Sequence, residues 1–196
     1  MTSLTMAQTV WPRRADDRTA AWGRDAFLAL AFSLLTALSA QAVIPLPFTP
    51  VPITGQTFAV LLTGALLGPR LGAMTLALYL LEGGMGLPVF AHGAAGAARL
   101  LGPTGGYLLS YPFAAALVGG LAERGWDRRP ATMLAAMLLG SLVVFTMGAG
   151  WLAHFVGPAH ALTGGVLPFL PGDMIKALLA AGLVPLGWKC LGAKRG

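Results

Sequence analysis

The residue pair best suited to ligand chemistry is Asp173 and Lys176, three positions apart near the start of the last apolar run. On a helix this spacing places both side chains on one face. The carboxylate accepts bonds from N–H groups and the ammonium donates to a carbonyl or carboxylate, which suits a polar, uncharged or zwitterionic ligand group. Ionisable groups in apolar segments are costly and usually line substrate sites. The structural alternative is an anion at a helix N-terminus beside a lysine that extends toward water.

Two further side chains are candidates for the same site. Gln56 follows the proline-rich residues 45–55, and its amide offers both donors and an acceptor. Helix capping, or bonding to that loop, is the alternative for Gln56. Arg99 precedes another glycine-rich segment and suits an anionic ligand group, with anchoring at the membrane interface as its alternative.

Glycine-rich segments supply the backbone freedom that a pocket wall needs. Residues 82–93 combine glycines with apolar side chains, as a lid would, and include His92 as a candidate ligand contact or a solvated side chain. Residues 102–107 (Gly-Pro-Thr-Gly-Gly-Tyr) allow a helix or a ligand to approach the backbone at Gly105. Tyr107 can stack on a flat ligand or pack at a helix end.

Other site chemistries lack their motifs. Cys190 is the single cysteine and His92 has no companion ligands in sequence, so we expect no metal and no cofactor. The chain has no Gly-x-Ser-x-Gly elbow, His-Glu-x-x-His helix or phosphate-binding loop, which disfavours an enzyme. The basic residues occupy short segments without interleaved aromatic residues, which argues against nucleic-acid binding.

The elements that position these residues are predicted to be membrane helices. Of 196 residues, 56% are hydrophobic and 10% are charged, against roughly 25% charged in a soluble domain. Apolar runs at residues 26–44, 104–122, 131–156 and 171–190 approach the ~20 residues that a spanning helix requires. Residues 53–86 fit either one long helix or two short spans that turn at residues 68–70.

The distribution of basic residues selects the two-span alternative, and hence six spans with both termini inside. Five spans would place many basic residues outside, whereas six leave only Arg99 outside and Lys176 within the last span. The other 11 of the 13 basic residues are then inside: Arg13, Arg14, Arg18, Arg24, Arg70, Arg124, Arg128, Arg129, Lys189, Lys194 and Arg195.

We therefore predict an all-α integral membrane protein, a six-transmembrane-helix bundle. Residues 1–25 form a cytoplasmic segment, residues 26–190 a single membrane domain, and residues 191–196 a cytoplasmic tail. The outer loops are residues 45–55, 84–103 and 157–170, so a binding site should open outward. On the first span, Ala29, Ser33 and Ala37 form a small-residue stripe that favours close helix contact, either internal or with a partner.

Four ordered motifs resemble the BioY family, the biotin-specific substrate-capture subunits of energy-coupling factor (ECF) transporters. They are residues 52–58 (Pro-Ile-Thr-Gly-Gln-Thr-Phe), residues 86–90 (Gly-Leu-Pro-Val-Phe), residues 102–107, and residues 168–173 (Pro-Phe-Leu-Pro-Gly-Asp) followed by Lys176. The resemblance covers nearly the whole chain from about residue 26. His92 stands where the family often has asparagine, and Glu82 where an apolar residue is expected.

The resemblance implies a high-affinity biotin-capture subunit, not an enzyme, in the bacterial inner membrane. Its partners would be a transmembrane coupling subunit and a pair of ATP-binding cassette ATPases, with the first-span stripe similar to a docking surface. Asp173 and Lys176 would contact the ureido end of biotin, and Arg99 the valerate carboxylate. The alternatives are a capture subunit for another small vitamin and an intramembrane enzyme, for instance a hydrolase or a lipid-headgroup transferase.

Overall fold

A computed structural model describes residues 3–13 and 17–193 of the chain. Arg14, Lys194 and Arg195, which entered the count of inner basic residues, lie outside the described residues. The helices are α1 (Met6–Val10), α2 (Arg18–Ala40), α3 (Gln56–Leu67), α4 (Pro69–Gly84), α5 (Ala97–Leu101), α6 (Gly105–Ala122), α7 (Pro130–Val156), α8 (Pro158–Gly165) and α9 (Leu170–Ala193). A short antiparallel hairpin joins β1 (Val43–Ile44) to β2 (Ile53–Thr54).

The prediction of an all-helical membrane protein is confirmed. Within the described residues, four helical stretches are long and apolar enough to cross a membrane: Arg18–Ala40, Gly105–Ala122, Pro130–Val156 and Pro158–Gly192. Large apolar side chains remain exposed along α2 and α9, including Phe27, Leu34 and Leu183. Exposure of such apolar faces to water is unfavourable, whereas contact with lipid tails or with neighbouring membrane helices is favourable.

The helix at the predicted first span, residues 26–44, has different bounds at both ends. The helix α2 begins at Arg18 because the Asp17 carboxylate caps it by accepting from the Ala20 N–H group. It ends at Ala40 because β1 follows and pairs with β2, with Val43 opposite Thr54. The expected proline-rich loop is thus partly a hairpin, and the expected loop at residues 157–170 is partly helical, since it contains α8.

Within residues 53–86, the two helices α3 and α4 are separated at Gly68. This glycine has φ of +86°, a conformation that side chains rarely adopt, and Pro69 begins the next helix. The side chain of Thr5 also lies so close that a Cβ on Gly68 would be 2.9 Å from its methyl group. The turn at residues 68–70 in the predicted two-span arrangement is therefore present.

The core is built around α6, which packs against α3, α4 and α7. Gly64 on α3 permits the close approach of α6, because a Cβ on Gly64 would lie 2.4 Å from the Ala115 carbonyl oxygen. The largest fully buried side chains include Tyr79, Leu61, Met133 and Leu152. The loops near residues 41–55, 84–104 and 157–169 lie together at one end of the bundle, which we call the cavity end.

The N-terminal segment, residues 3–13, is bound at the opposite end. The Ser3 N–H group donates to the Glu123 carbonyl at 2.7 Å, which fixes the segment to the end of α6. The buried Arg24 guanidinium donates to the Trp11 carbonyl at 2.7 Å and to the Ala7 carbonyl at 2.9 Å. Residues 3–13 and the connection after α6 therefore lie at the same end of the bundle.

Candidate functional site

A cavity of about 190 Å³ lies at the cavity end, between the hairpin, the loop before α5, and helices α3, α6, α7 and α9. This is far more than the space one water molecule occupies, so the cavity can admit a small organic ligand. Its lining includes Pro45, Thr49, Pro52, Thr54, Gln56, Thr57, Phe90, Ala91, His92, Arg99, Tyr107, Tyr111, Val144, Phe145, Phe169, Asp173 and Lys176.

Asp173 and Lys176 project into this cavity from the first turns of α9. Asp173 is only 6% exposed, so its carboxylate is largely removed from water. The Lys176 Nζ donates to the Thr54 carbonyl at 2.7 Å and to the Thr57 hydroxyl at 2.8 Å. Within the described residues, Asp173 and Lys176 form no ion pair with each other, so the site keeps a separate carboxylate and ammonium.

Gln56 also lines the cavity, and its amide belongs to a network of buried hydrogen bonds. Its Nε2 donates to the Tyr79 hydroxyl at 2.6 Å, and its Oε1 accepts from Thr54 at 3.2 Å and from Tyr111 at 3.4 Å. Gln56 therefore lines the cavity and also bonds to the proline-rich segment, while its role as a ligand contact stays a prediction.

Arg99 and His92 lie at the rim of the cavity and are both exposed. His92 has φ of +60°, an uncommon conformation for a residue other than glycine, in a short 3-10 turn, Ala91–Gly93. Gln41 holds this turn, because its Oε1 accepts from the Gly93 N–H group at 3.0 Å and its Nε2 donates to the Phe90 carbonyl at 3.2 Å.

Tyr107 lines the cavity, and its hydroxyl donates to the Gly165 carbonyl at 2.7 Å, which ties α6 to α8. Gly105 is not among the lining residues. A Cβ on Gly105 would lie 1.9 Å from the Leu100 carbonyl oxygen, so this glycine allows α5 and α6 to pack closely. Of the two approaches expected at Gly105, by a helix or by a ligand, the structure shows that of a helix, α5.

The small-residue stripe on α2 makes an internal contact. Ser33 and Ala37 are buried, and the Ser33 hydroxyl donates to the Glu82 carboxylate on α4. Ala29 is half-buried. Of the two contacts expected for this stripe, the structure shows the internal one at Ser33 and Ala37, because α4 occupies that face.

Sequence reasoning did not single out Thr54, Thr57, Tyr111, Gln41 or Tyr79. Thr54 and Thr57 flank Gln56 in the proline-rich motif, and Tyr111 lies one helical turn after Tyr107, so neighbouring positions carried a usable signal. Gln41 and Tyr79 act through contacts 10 to 52 residues away in sequence, which spacing does not reveal. Among the described residues, no three His, Cys, Asp or Glu side chains form a metal-ligand group.

Comparisons with known proteins agree with this architecture. Residues 12–193 match the sequence profile described as the BioY family. The chain is similar to the probable biotin transporter BioY of Pyrococcus horikoshii, with 41% identity over 80% of this chain and 91% of that protein. It is also similar to the biotin transporter BioY of Rhizobium etli, with 37% identity over 87% of this chain and 98% of that protein.

A solved structure has the same fold. It is described as the S-component for biotin from an ECF-type ABC transporter, and it aligns with a TM-score of 0.76 and 28% identity. The alignment covers 88% of this chain and 95% of that one. With a profile match over nearly the whole chain and relatives above 30% identity, the chain belongs to the BioY family.

Proposed function

We propose that the chain captures biotin as the substrate-binding subunit of an ECF-type vitamin uptake transporter. The observation that carries this proposal is that a buried carboxylate, Asp173, and the ammonium of Lys176 line one cavity of a BioY-family fold. The names of the relatives and of the solved structure support biotin as the ligand. The function is capture and delivery, without chemical conversion of the ligand.

The polar groups divide into two sets that match the two polar ends of biotin. Asp173, Lys176 and Gln56 lie together around the end of the hairpin, where they suit the ureido ring with its N–H donors and carbonyl acceptor. Arg99 at the rim suits the valerate carboxylate, with which a guanidinium forms paired bonds. Phe90, Val144 and Phe145 provide apolar surface, and His92 and Tyr107 are further contacts.

In this proposal the chain crosses the bacterial cytoplasmic membrane six times, with both termini inside and the cavity end outside. Arg128 supports this arrangement, since it donates to the Leu4 carbonyl and so joins the N-terminal segment to the basic connection after α6. Those basic residues lie at the end opposite to Arg99, as expected if cytoplasmic segments hold most of the Lys and Arg residues. The short helices α3 and α4 would be the second and third spans.

Uphill uptake requires partners, because the sequence contains no phosphate-binding loop. The proposal therefore includes a transmembrane coupling subunit and a pair of ABC ATPases. Docking through α2 would use Ala29 and the exposed side chains around it, including Phe27 and Leu30. Ser33 and Ala37 would contribute indirectly, by fixing α2 against α4.

The test is calorimetric titration of biotin into the protein purified in detergent. We expect saturable binding to the wild type, and affinity weakened on the order of 10- to 100-fold by Lys176→Ala, the range for a lost hydrogen bond to a charged group. Lys189→Ala, an exposed lysine at the opposite end, is the matched control and should bind as the wild type does. Thermal unfolding verifies that each variant is folded.

Two outcomes would contradict parts of this proposal. Saturable binding of another vitamin, with none of biotin, would exclude the substrate while leaving the transport class intact. Equal biotin affinity in wild type and Lys176→Ala would move the binding site away from α9.

A further inference from the structure

We infer that Tyr79 on α4 is a positioning residue that fixes which atom of the Gln56 amide faces the cavity, and thereby selects a ligand that presents an N–H donor there. Tyr79 is fully buried and is not among the residues that line the cavity. The inference rests on the proposed capture function, and it concerns how this chain's own residues prepare the site.

The backbone carbonyl of Val89 can only accept a hydrogen bond. The Tyr79 hydroxyl lies 2.8 Å from it and has a single hydrogen, which is committed to this carbonyl. The Tyr79 oxygen can then only accept from Gln56, at 2.6 Å. The nitrogen of the Gln56 amide must therefore point toward Tyr79.

The amide oxygen points the other way, toward residues that line the cavity. The hydroxyls of Thr54 and Tyr111, both lining residues, donate to Gln56 Oε1. A reversed amide would place Oε1 against the Tyr79 oxygen, which has no hydrogen left to donate. Because an unsatisfied buried polar group costs about 1 to 3 kcal/mol, Oε1 stays on the cavity side. A ligand N–H group can there take the place of the long bond from Tyr111, at 3.4 Å, since an amide oxygen has two lone pairs.

The same phenol also connects the amide to the loop that covers part of the cavity. Phe90, one residue after Val89, packs edge-on against the Tyr79 ring with centroids 5.6 Å apart. Gly83 makes room for Phe90, since a Cβ there would lie 2.1 Å from the ring carbon Cζ. The loop thus fixes the orientation of the Tyr79 side chain, and Tyr79 in turn fixes the orientation of the Gln56 amide.

Binding measurements with Tyr79→Phe test the inference. This variant keeps the ring and removes the hydroxyl, so we expect the Kd for biotin to rise about tenfold through the loss of one buried bond. In a Gln56→Ala background the same substitution should cause little further change, because the group it orients is absent. Thr63→Val on α3 loses a comparable buried hydroxyl bond, to the Ala59 carbonyl at 2.7 Å, and should leave the Kd unchanged.

A second measurement does not depend on any ligand. The chain has three glutamines, Gln8, Gln41 and Gln56, so 15N labelling of the glutamine side-chain amides gives three pairs of NH2 signals in NMR spectra. In Tyr79→Phe we expect the Gln56 amide signals to shift and their solvent exchange to accelerate, while the signals of Gln8, at the opposite end of the bundle, serve as the internal reference.

The outcomes separate this inference from the proposed function. Unchanged Gln56 signals in Tyr79→Phe, or effects of Tyr79→Phe and Gln56→Ala that simply add, would overturn the inference even if biotin binds. Absence of biotin binding to the wild type would overturn the proposed ligand, while the glutamine spectra would still decide the role of Tyr79.

Discussion

The Lys176 ammonium lies 2.7 Å from the Thr54 carbonyl oxygen and so joins the start of α9 to the end of the hairpin, 122 residues earlier in the chain. A second bond to Thr57 fixes the ammonium over the first turn of α3. The lysine is thus held in place within the protein alone, and the cation that a ligand would meet already has a defined position.

The first prediction is that Lys176→Met loosens the hairpin even without ligand. Methionine has a similar length but no donors, so the Thr54 carbonyl and the Thr57 hydroxyl lose their shared partner. We expect faster hydrogen exchange at the amides of residues 43–55, measured by mass spectrometry, with Lys189→Met as the control. Unchanged protection of those amides would show that the ammonium does not anchor the hairpin.

The second prediction compares two glycines on α7. A Cβ on Gly148 would lie 2.2 Å from the Tyr107 ring, whereas a Cβ on Gly150 would have nothing within 4 Å. Gly148→Ala should therefore destabilise the fold by about 1 to 3 kcal/mol, the usual cost of overpacking, and should also displace Tyr107 from the cavity wall. Gly150→Ala should be neutral or stabilising by up to about 1 kcal/mol, from helix propensity.

Thermal unfolding in detergent and biotin titration check this pair. If the two alanine variants unfolded at the same temperature, the close packing of Tyr107 on α7 would not be a determinant of stability.

The helices could be predicted from apolar runs because lipid exposure demands long apolar segments, and the α6 and α7 bounds agree with the prediction within about a residue. The start of α2 could not, because a capping carboxylate, Asp17, extends the helix through residues that hydropathy treats as polar. The helical part of residues 157–170 was missed because Gly and Pro indicated a loop, although Pro158 is the first residue of α8.

For the site, residue type and motif were sufficient where one side chain acts alone. Asp173, Lys176, Arg99 and Gln56 were all predicted, and the structure brings them to one cavity. Their binding roles stay a prediction. The hydrogen bonds that support Gln56 could not be predicted from the sequence. Tyr79 is one tyrosine within an apolar segment, and its partners come from α3 and from the loop after α4.

The third prediction concerns pH and Asp127, which is buried in the 3-10 turn Trp126–Arg128 outside the spanning helices. Burial raises the pKa of the Asp127 carboxyl, and the bond from the Trp188 indole at 2.6 Å and the Arg128 charge offset only part of that rise. The folded protein therefore holds this proton to higher pH than the unfolded chain does. Its contribution to stability is complete below the unfolded pKa and is lost as pH rises through the folded pKa.

Asp127→Asn should remove this dependence, because the amide stays neutral and can still accept from Trp188. We expect the stability of the wild type relative to Asp127→Asn to fall as pH rises from about 4, near the ordinary pKa of an aspartate. Trp188→Phe removes the bond that lowers the pKa of Asp127, so in this variant the loss of stability with rising pH should extend to higher pH. Parallel curves for wild type and Asp127→Asn, measured as unfolding temperature against pH, would contradict the assignment.

The fourth prediction is that the turn at residues 91–93 acts as a lid that Gln41 holds. Gln41 bonds to Gly93 and Phe90 and also donates to the Ala37 carbonyl at 3.0 Å, so it fastens the turn to the end of α2. Gln41→Ala should free the turn and weaken biotin binding about tenfold, because the bound loop must then be ordered at the expense of binding energy. A spin label at Leu87, which is half exposed, reports the motion after the exposed Cys190 is replaced by serine.

In the wild-type background the label should become less mobile when biotin binds, and Gln41→Ala should raise its mobility in the free protein. Gln8→Ala, which alters the N-terminal segment at the opposite end, is the matched control. If biotin bound without any change in label mobility, the loop would be a fixed wall of the cavity. Gln41 would then contribute to stability alone.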